Sequence, residues 1–269
     1  AYKCLLLRKA FDPLRRILEL DSSLVLSVML TLSALAALSM VATPQSQDIK
    51  NYVQSAFEDA QFTVVTGEHS ISELAKISKD FSQSYRFKSS QVWIKEPFKL
   101  RMMSEVDDSA ILYIVNGGKR MYKIPRSGLS QMDDISKAPG KRQTAFDFGI
   151  LTPALVNNYF VADFVRIDRA SGDAVFDLKY ASHLMDSSRS RVWIDPQSKT
   201  ITKREWYAQR RNNGRLMATF VYSNIKKIGQ VSVATSVVVN NADNKRAGSL
   251  SYSSMKINTG LAESLFALK

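Results

Sequence analysis

The chain has 269 residues, of which 45% are hydrophobic and 23% are charged, and it carries a net charge of +12. A single cysteine, Cys4, excludes an internal disulfide, and with two histidines it argues against a zinc site. The length suits one β-rich domain of about 200 residues or more behind an N-terminal segment. Lys and Arg are spread along the chain without an RNA-binding motif, so we expect no nucleic-acid partner.

An uncharged apolar run occupies residues 24–42. Its length lies between the core of a signal peptide and a membrane span, and the flank before it is net positive. We therefore divide the chain into a signal peptide or signal anchor, residues 1–43, and a domain, residues 44–269. Both alternatives place the domain in the periplasm or another extracytoplasmic space. The second alternative also anchors it to the inner membrane through residues 24–42.

An amphipathic helix of about four turns is predicted after Thr43-Pro44, a cap followed by proline. Apolar residues recur there at spacings of three and one, which is typical of one helical stripe. The helix is either docked permanently on a sheet or forms a movable lid. The stripe consists of Ile49, Tyr52, Val53, Ala56, Phe57 and Ala60.

Strand signals dominate the next part of the chain. Residues 62–71 predict a first strand, and residues 72–82 are ambiguous between a short helix and a loop. Gly117-Gly118 predicts a hairpin turn, and the polar residues 127–144 predict a loop. The other strands predicted in this half are 84–95, which ends at Glu96-Pro97, and 98–106, 110–116 and 119–124.

The second half predicts an antiparallel meander, because short strands joined by short turns pair with their sequence neighbours. Residues 216–222 alternate between apolar and mixed positions, so one face of the sheet needs a cover. Thr152-Pro153 opens a short helix through about residue 160, in a very apolar connection that is a second candidate cover. The strands predicted here are 161–168, 173–180, 190–195, 200–208, 215–224, 231–240 and 250–257.

No catalytic constellation can be assembled from these residues. His69 and His183 stand alone, no nucleophile elbow or glycine-rich phosphate loop occurs, and Asn116-Gly117-Gly118-Lys119 is better explained as a hairpin turn. We expect no enzyme, no cofactor, no metal and no catalytic residue. The apolar strands and helices favour a module that binds something hydrophobic.

Residues 92–101 show a strand–Pro–strand hairpin pattern, and residues 111–125 show the pattern of a second hairpin. A later meander carries Val192-Trp193-Ile194-Asp195, with Lys203, Tyr207 and Gly214. In this order the three patterns resemble those of the LolA-like periplasmic lipoprotein carriers, and the resemblance covers residues 49–266. Glu96 departs from the pattern, because carriers tend to have a basic residue there. Sigma-factor regulators of the MucB/RseB type share this fold class.

The resemblance implies a mainly β (α+β) fold, a curved, incomplete antiparallel β-barrel covered by short helices. It also implies a carrier that holds acyl chains of a lipid or lipoprotein in an apolar cavity. The alternative is a membrane-anchored envelope sensor that binds a partner protein. We expect the cavity to be lined by Tyr85, Phe87, Trp93, Phe98, Leu100, Met102, Leu216, Phe220, Val233 and Val237. The lid helices would contribute Ile49, Tyr52, Val53, Phe57, Leu155 and Tyr159.

Overall fold

The computed structural model describes residues 45–106, 109–209 and 214–269. The apolar run at residues 24–42, predicted as a signal peptide or anchor, lies outside the described residues. Within the described ranges, no helix has the length and apolar character needed to cross a membrane.

Thirteen strands form one sheet across the described residues. The first half contributes β1 Asp59–His69, β2 Ser89–Lys95, β3 Lys99–Val106, β4 Ser109–Asn116, β5 Lys119–Ile124 and β6 Leu129–Asp134. The second half contributes β7 Phe160–Ile167, β8 Ala174–Tyr180, β9 Arg189–Ile194, β10 Ile201–Tyr207, β11 Leu216–Ile228, β12 Val231–Asn241 and β13 Arg246–Ile257.

The strand order shows two meanders joined at one seam. The order is β6-β5-β4-β3-β2-β1-β13-β12-β11-β10-β9-β8-β7. Strands that are adjacent in the sheet are therefore consecutive in the chain, except at the β1–β13 seam. The described strand pairs are antiparallel. Strands β6 and β7 are the two edges, and the sheet does not close into a barrel. The predicted mainly β, antiparallel fold class is confirmed.

This topology explains why the connection between the two edge strands is apolar. The chain must travel from β6 at one edge to β7 at the other, and it does so along residues 135–159. That connection carries a 3₁₀ turn, Ala145–Phe148, and helix α3, Pro153–Asn158. Ile150, Leu151 and Leu155 are almost fully buried, so the connection covers one face of the sheet. We call this the core face; it carries Leu100, Phe176, Val192, Phe220 and Val237.

Three further short helices complete the cover. Helix α1 spans Ile71–Ile77 and helix α2 spans Lys79–Ser84, and a 3₁₀ turn spans Ile49–Tyr52. Ser78 ends α1 and caps the start of α2, since its hydroxyl accepts a hydrogen bond from the Phe81 amide at 3.0 Å. The segment that was ambiguous in the sequence is therefore two helices.

The predicted four-turn helix after Thr43-Pro44 is wrong within the described residues. Its stripe is helical only over Ile49–Tyr52, and Ala60 belongs to β1, opposite Ile94. Tertiary hydrogen bonds replace helical ones here, because the Gln54 amide donates to the Leu151 carbonyl at 2.8 Å. A stripe at helical spacing can also bury an irregular segment when a neighbouring loop supplies the backbone partners.

Other element boundaries also differ from the sequence prediction. The strand predicted at 84–95 begins only at Ser89, because Tyr85 ends helix α2. The predicted loop at 127–144 contains strand β6, Leu129–Asp134. Most β6 side chains are exposed, so an edge strand of this kind shows no apolar alternation from which it could be recognised.

Gly248 is required by the packing of Tyr85. A Cβ atom at position 248 would lie 2.4 Å from Tyr85 Cε1, and Tyr85 is 4% exposed. Gly248→Ala is expected to lower the free energy of unfolding by about 1 to 3 kcal/mol, because the ring must move within a packed core. Urea denaturation measures this, with the exposed Ser251→Ala on the same strand as the control. Equal stability of Gly248→Ala and the wild type would contradict the prediction.

Candidate functional site

A cavity of about 740 Å³ lies between the core face and its cover. Helices α1 and α2 contribute Ile77 and Phe81, and the loop 137–147 lies along another side. Helix α3 and the start of β7 contribute Leu155 and Phe160, and strands β8 to β11 form the floor. The volume lies within the usual range of about 300–1,000 Å³ for small-molecule sites.

The cavity combines an aromatic lining with charged groups. Its aromatic residues are Phe81, Phe146, Tyr159, Phe160, Tyr180, Trp206 and Phe220. Its charged residues, among those the structure describes, are Asp80, Lys137, Lys141, Arg142, Asp147, Asp186 and Arg204. A site of this kind suits a ligand with both an apolar and a polar part.

Arg204 lies within an apolar row of the core face. Across the sheet it faces Val192 on β9 and Phe220 on β11, and the row continues through Phe176 and Val239. Arg204 is the charged member of this row and is 8% exposed. Its guanidinium lies 4.8 Å from the centre of the Phe146 ring and 4.2 Å from that of Phe220. It is therefore held between two aromatic rings.

The hydrogen bonding of Arg204 is incomplete. Nη1 donates to the Phe146 carbonyl at 3.4 Å and lies 3.8 Å from Asp147 Oδ1, too far for a strong hydrogen bond. Nε is buried and has no hydrogen-bond partner among the described residues. A guanidinium has five donors, so most of its capacity is unused by these contacts.

Asp147 is held away from Arg204 by its own turn. Its Oδ2 accepts a hydrogen bond from the Thr144 amide at 2.9 Å, within the turn Ala145–Phe148. Desolvation by the surrounding protein raises the pKa of Asp147, and the nearby positive charge of Arg204 offsets part of this rise. The Tyr180 pKa is also raised, first by burial and then by Asp147 and Asp186. Asp147 is thus a weakened partner for Arg204.

Arg142 supplies a second cation. Its guanidinium lies 4.9 Å from the ring centre of Tyr159 and 5.9 Å from that of Phe98. Nη2 donates to the Ile135 carbonyl at 3.3 Å, and Nε is buried without a partner among the described residues.

The structure brings three of the sequence-predicted site residues to the cavity: Phe220, Leu155 and Tyr159. Tyr85, Leu100, Val233 and Val237 are buried in the core, and Phe87, Phe98, Met102 and Leu216 are half-buried outside the cavity lining. Trp93 lies on the opposite face from Leu100 and Met102, since it pairs with Arg101. Its ring is 5.8 Å from the Arg101 guanidinium.

The predicted lid residues of the first helix are packed into the core. Ile49, Tyr52, Val53 and Phe57 are all buried, and the Tyr52 ring contacts Phe176 edge-on at 5.2 Å. Gln54 Nε2 ties the segment to the turn before β10, donating to the Ser198 carbonyl at 2.7 Å and the Lys199 carbonyl at 3.0 Å.

The sequence pattern does not show that Arg204 lies on the core face, because a β-bulge in β10 changes the face on which its side chain lies. Ile201 pairs with Ile194 and Arg204 with Val192, with a register shift between Ile201 and Lys203. The bulge places Ile201 and Arg204 on the same face, although simple alternation puts them on opposite faces. Flanking Lys203 and Glu205 also make the segment look solvated. Within the described residues, no group of three or more potential ligands could hold a metal ion.

Glu96, the acidic departure from the carrier pattern, connects the β2–β3 turn to helix α3. Its Oε1 accepts a hydrogen bond from Thr152 Oγ1 at 3.1 Å, and Thr152 caps the helix. Its Oε2 is buried without a partner among the described residues. Burial raises the pKa of Glu96, although the Thr152 and Phe98 hydrogen bonds offset part of this.

Glu96→Gln is expected to make the protein more stable at pH 8 but not at pH 4. The ordinary pKa is 4.5 and the folded-state pKa is higher, so stability falls as the pH rises from 4.5 through the folded value. The amide removes that loss and keeps an oxygen for Thr152. Urea denaturation at pH 4, 6 and 8 measures the difference.

Glu263→Gln is the control for the pH series. Hydrogen bonds from Lys99 and Lys95 lower the Glu263 pKa, so its contribution is lost as the pH falls. A Glu96→Gln difference that is independent of pH would contradict the assignment.

The comparisons with known proteins concern mainly the fold. A family model described as "Uncharacterized protein" matches residues 175–269, less than half of the chain. Comparison of the sequence with curated proteins finds no match.

The solved structures that match over most of the chain include three with a TM-score above 0.5. A candidate outer membrane lipoprotein-sorting domain from Vibrio parahaemolyticus is 14% identical, with a TM-score of 0.51, covering 81% of this chain and 92% of its own. A DUF1329 family protein from Desulfovibrio piger is 12% identical, with a TM-score of 0.53 and the same coverages. A LolA superfamily protein from Nitrosomonas europaea is 16% identical, with a TM-score of 0.53, covering 81% and 93%. The chain therefore shares its fold with these three proteins.

Proposed function

We propose that this protein is an exported carrier or binding protein that holds acyl chains of a lipid or lipoprotein in the cavity on its core face. The observation that carries the proposal is the cavity of about 740 Å³, lined by seven aromatic residues, between the core face and its cover. The proposal is supported by the fold, shared with a domain described as sorting outer membrane lipoproteins.

The cavity is large enough for useful affinity. Each buried methylene contributes about 0.8 kcal/mol, so roughly ten methylenes contribute about 8 kcal/mol. Before the costs of ordering the ligand, that corresponds to a dissociation constant of about 1 μM. Binding of this strength suits a protein that both takes up and releases its ligand.

The proposal includes a location and a membrane partner. Residues 44–269 would work in the periplasm or another extracytoplasmic space. Residues 24–42 would direct export or anchor the protein to the inner membrane. The basic surface would favour contact with anionic membranes.

Native mass spectrometry of the purified full chain tests the proposal, together with displacement of a fluorescent fatty acid by unlabelled fatty acid. We expect co-purifying lipid and saturable displacement. Ser190 lines the cavity, so Ser190→Trp is expected to reduce binding at least tenfold by filling the space. Val221→Trp is the control, because Val221 is exposed and pairs with Lys203, on the face opposite Phe220 and Arg204.

Two results would contradict the proposal. One is the absence of both co-purifying lipid and fatty-acid binding. The other is equal loss of binding in Ser190→Trp and Val221→Trp. Retention of a protein partner without lipid would favour the alternative, an anchored envelope sensor or regulatory module.

A further inference from the structure

The cavity contains a cation, Arg204, at a position where a site that binds only acyl chains needs no charge. Arg204 lies between Val192 and Phe220 in the apolar row of the core face, and its side chain is 9% exposed. Burying a charge without full pairing is costly, and an apolar side chain there would complete the row. A cation in this position therefore calls for an explanation beyond packing.

The surroundings of Arg204 supply too few acceptors for a buried guanidinium. Its polar contacts in the described residues are one long hydrogen bond to the Phe146 carbonyl and the 3.8 Å approach of Asp147. Its Nε has no partner among those residues. Asp147 is itself 40% exposed and is hydrogen-bonded to the Thr144 amide.

The remaining cations of the cavity reinforce this imbalance. Lys137, Lys141 and Arg142 line the same space, and the Arg142 Nε is also unpartnered among the described residues. The described acidic residues of the lining are three: Asp80, Asp147 and Asp186. A carboxylate or phosphate entering the cavity would supply acceptors that these contacts lack.

We propose that Arg204 binds the anionic head group of an acidic amphiphile, a carboxylate or phosphate carried on an acyl chain, with Arg142 as a second cation in the same cavity. This inference rests on the proposed function and adds the ligand class. The acyl chain contacts the aromatic lining next to Arg204, including Phe81, Trp206 and Phe220. Charge at one position and apolar surface around it give the site a preferred ligand orientation.

The test compares two fluorescent ligands with the same chain, dansylaminoundecanoic acid, which carries a carboxylate, and its uncharged methyl ester. Both are titrated into the wild-type full chain, Arg204→Met, Arg204→Lys and Lys203→Met. Met keeps the apolar contacts of the Arg204 stem and removes the charge. Lys203 is the matched control, since it is the next residue on β10 and lies on the opposite face, 4.0 Å from the Trp193 ring.

We expect the wild type and Lys203→Met to bind the acid about tenfold or more tightly than the ester, as a charged hydrogen bond would give. Arg204→Met is expected to lose most of this preference, with a remainder from Arg142 in the same cavity, and Arg204→Lys is expected to retain more of it than Arg204→Met. Equal binding of acid and ester by the wild type would overturn the inference and leave the proposed function intact. An undiminished preference for the acid in Arg204→Met would also overturn it.

Two further results separate this inference from others. Failure of the wild type to bind either ligand would overturn the proposed function, and the inference with it. Sodium acetate and inorganic phosphate compete as chain-free anions. Undecanoate is the competitor that carries an acyl chain. We expect acetate and phosphate to displace the fluorescent acid only at concentrations at least a hundredfold higher than the concentration of undecanoate that displaces it. Displacement at equal concentrations would mean a site for free anions.

Discussion

Asp59→Asn is expected to lower the free energy of unfolding by about 3 to 5 kcal/mol, the cost of breaking a buried charged hydrogen-bond network. Asp59 is 2% exposed and lies at the start of β1. Its two oxygens accept hydrogen bonds from the amides of Thr259, Gly260 and Leu261 and from the Thr259 hydroxyl, at 2.8 to 3.2 Å. An asparagine has one acceptor oxygen, so its NH₂ group would face amide donors.

The position of Asp59 makes this loss consequential. It joins the start of β1 to the chain that leaves β13, and the β1–β13 pair is the seam between the two meanders. Urea denaturation followed by circular dichroism measures the effect. Asp163→Asn is the control, because Asp163 forms an exposed pair with Lys179 and its loss is expected to cost at most about 1 kcal/mol. Similar stabilities of the two variants would contradict the prediction.

Arg204→Met is expected to raise the free energy of unfolding of the ligand-free protein by about 1 to 4 kcal/mol. The substitution replaces a buried, incompletely bonded cation with an apolar side chain between Val192 and Phe220. The remaining Asp147 is partly exposed, and desolvation raises its pKa, so its charge is not left buried and unpaired.

Arg204→Met should therefore raise the stability of the ligand-free protein and weaken its binding of the fluorescent acid. Urea denaturation of delipidated protein gives the stability, and Lys203→Met, whose lysine is partly exposed and paired with Glu205 at 2.7 Å, should stay within about 1 kcal/mol of the wild type. A destabilised Arg204→Met would mean that the guanidinium serves the fold through its contacts with Phe146 and Phe220.

The meanders were predictable from the sequence because their information is local. Alternation over residues 216–222, with turn residues at 195–198, fixes strands, turns and the apolar face. The side chains of β6 are mostly exposed, so its sequence shows no alternation of apolar and polar residues and predicts a loop. The apolar stripe from Ile49 to Ala60 predicted a helix that does not form over most of its length. There the backbone bonds to tertiary partners, such as the Leu151 carbonyl, in place of helical hydrogen bonds.

The candidate site was less predictable than the fold. Phe220, Leu155 and Tyr159 were recognisable as apolar residues facing inwards, and they do line the cavity. Leu100 and Val237 carry the same signal and are core, because alternation reports the side of a sheet but not whether its cover leaves space above a given residue.

The sequence by itself determined a mainly β chain of antiparallel meanders with one apolar face, since side-chain period and turn chemistry act over a few residues. Tertiary structure alone decided the pairing of β1 with β13, the path of residues 135–159 over the core face, and the place left unfilled. It also decided the side on which Arg204 lies, through a bulge between Ile201 and Lys203. These features depend on contacts between residues far apart in the chain, whose geometry no local pattern encodes.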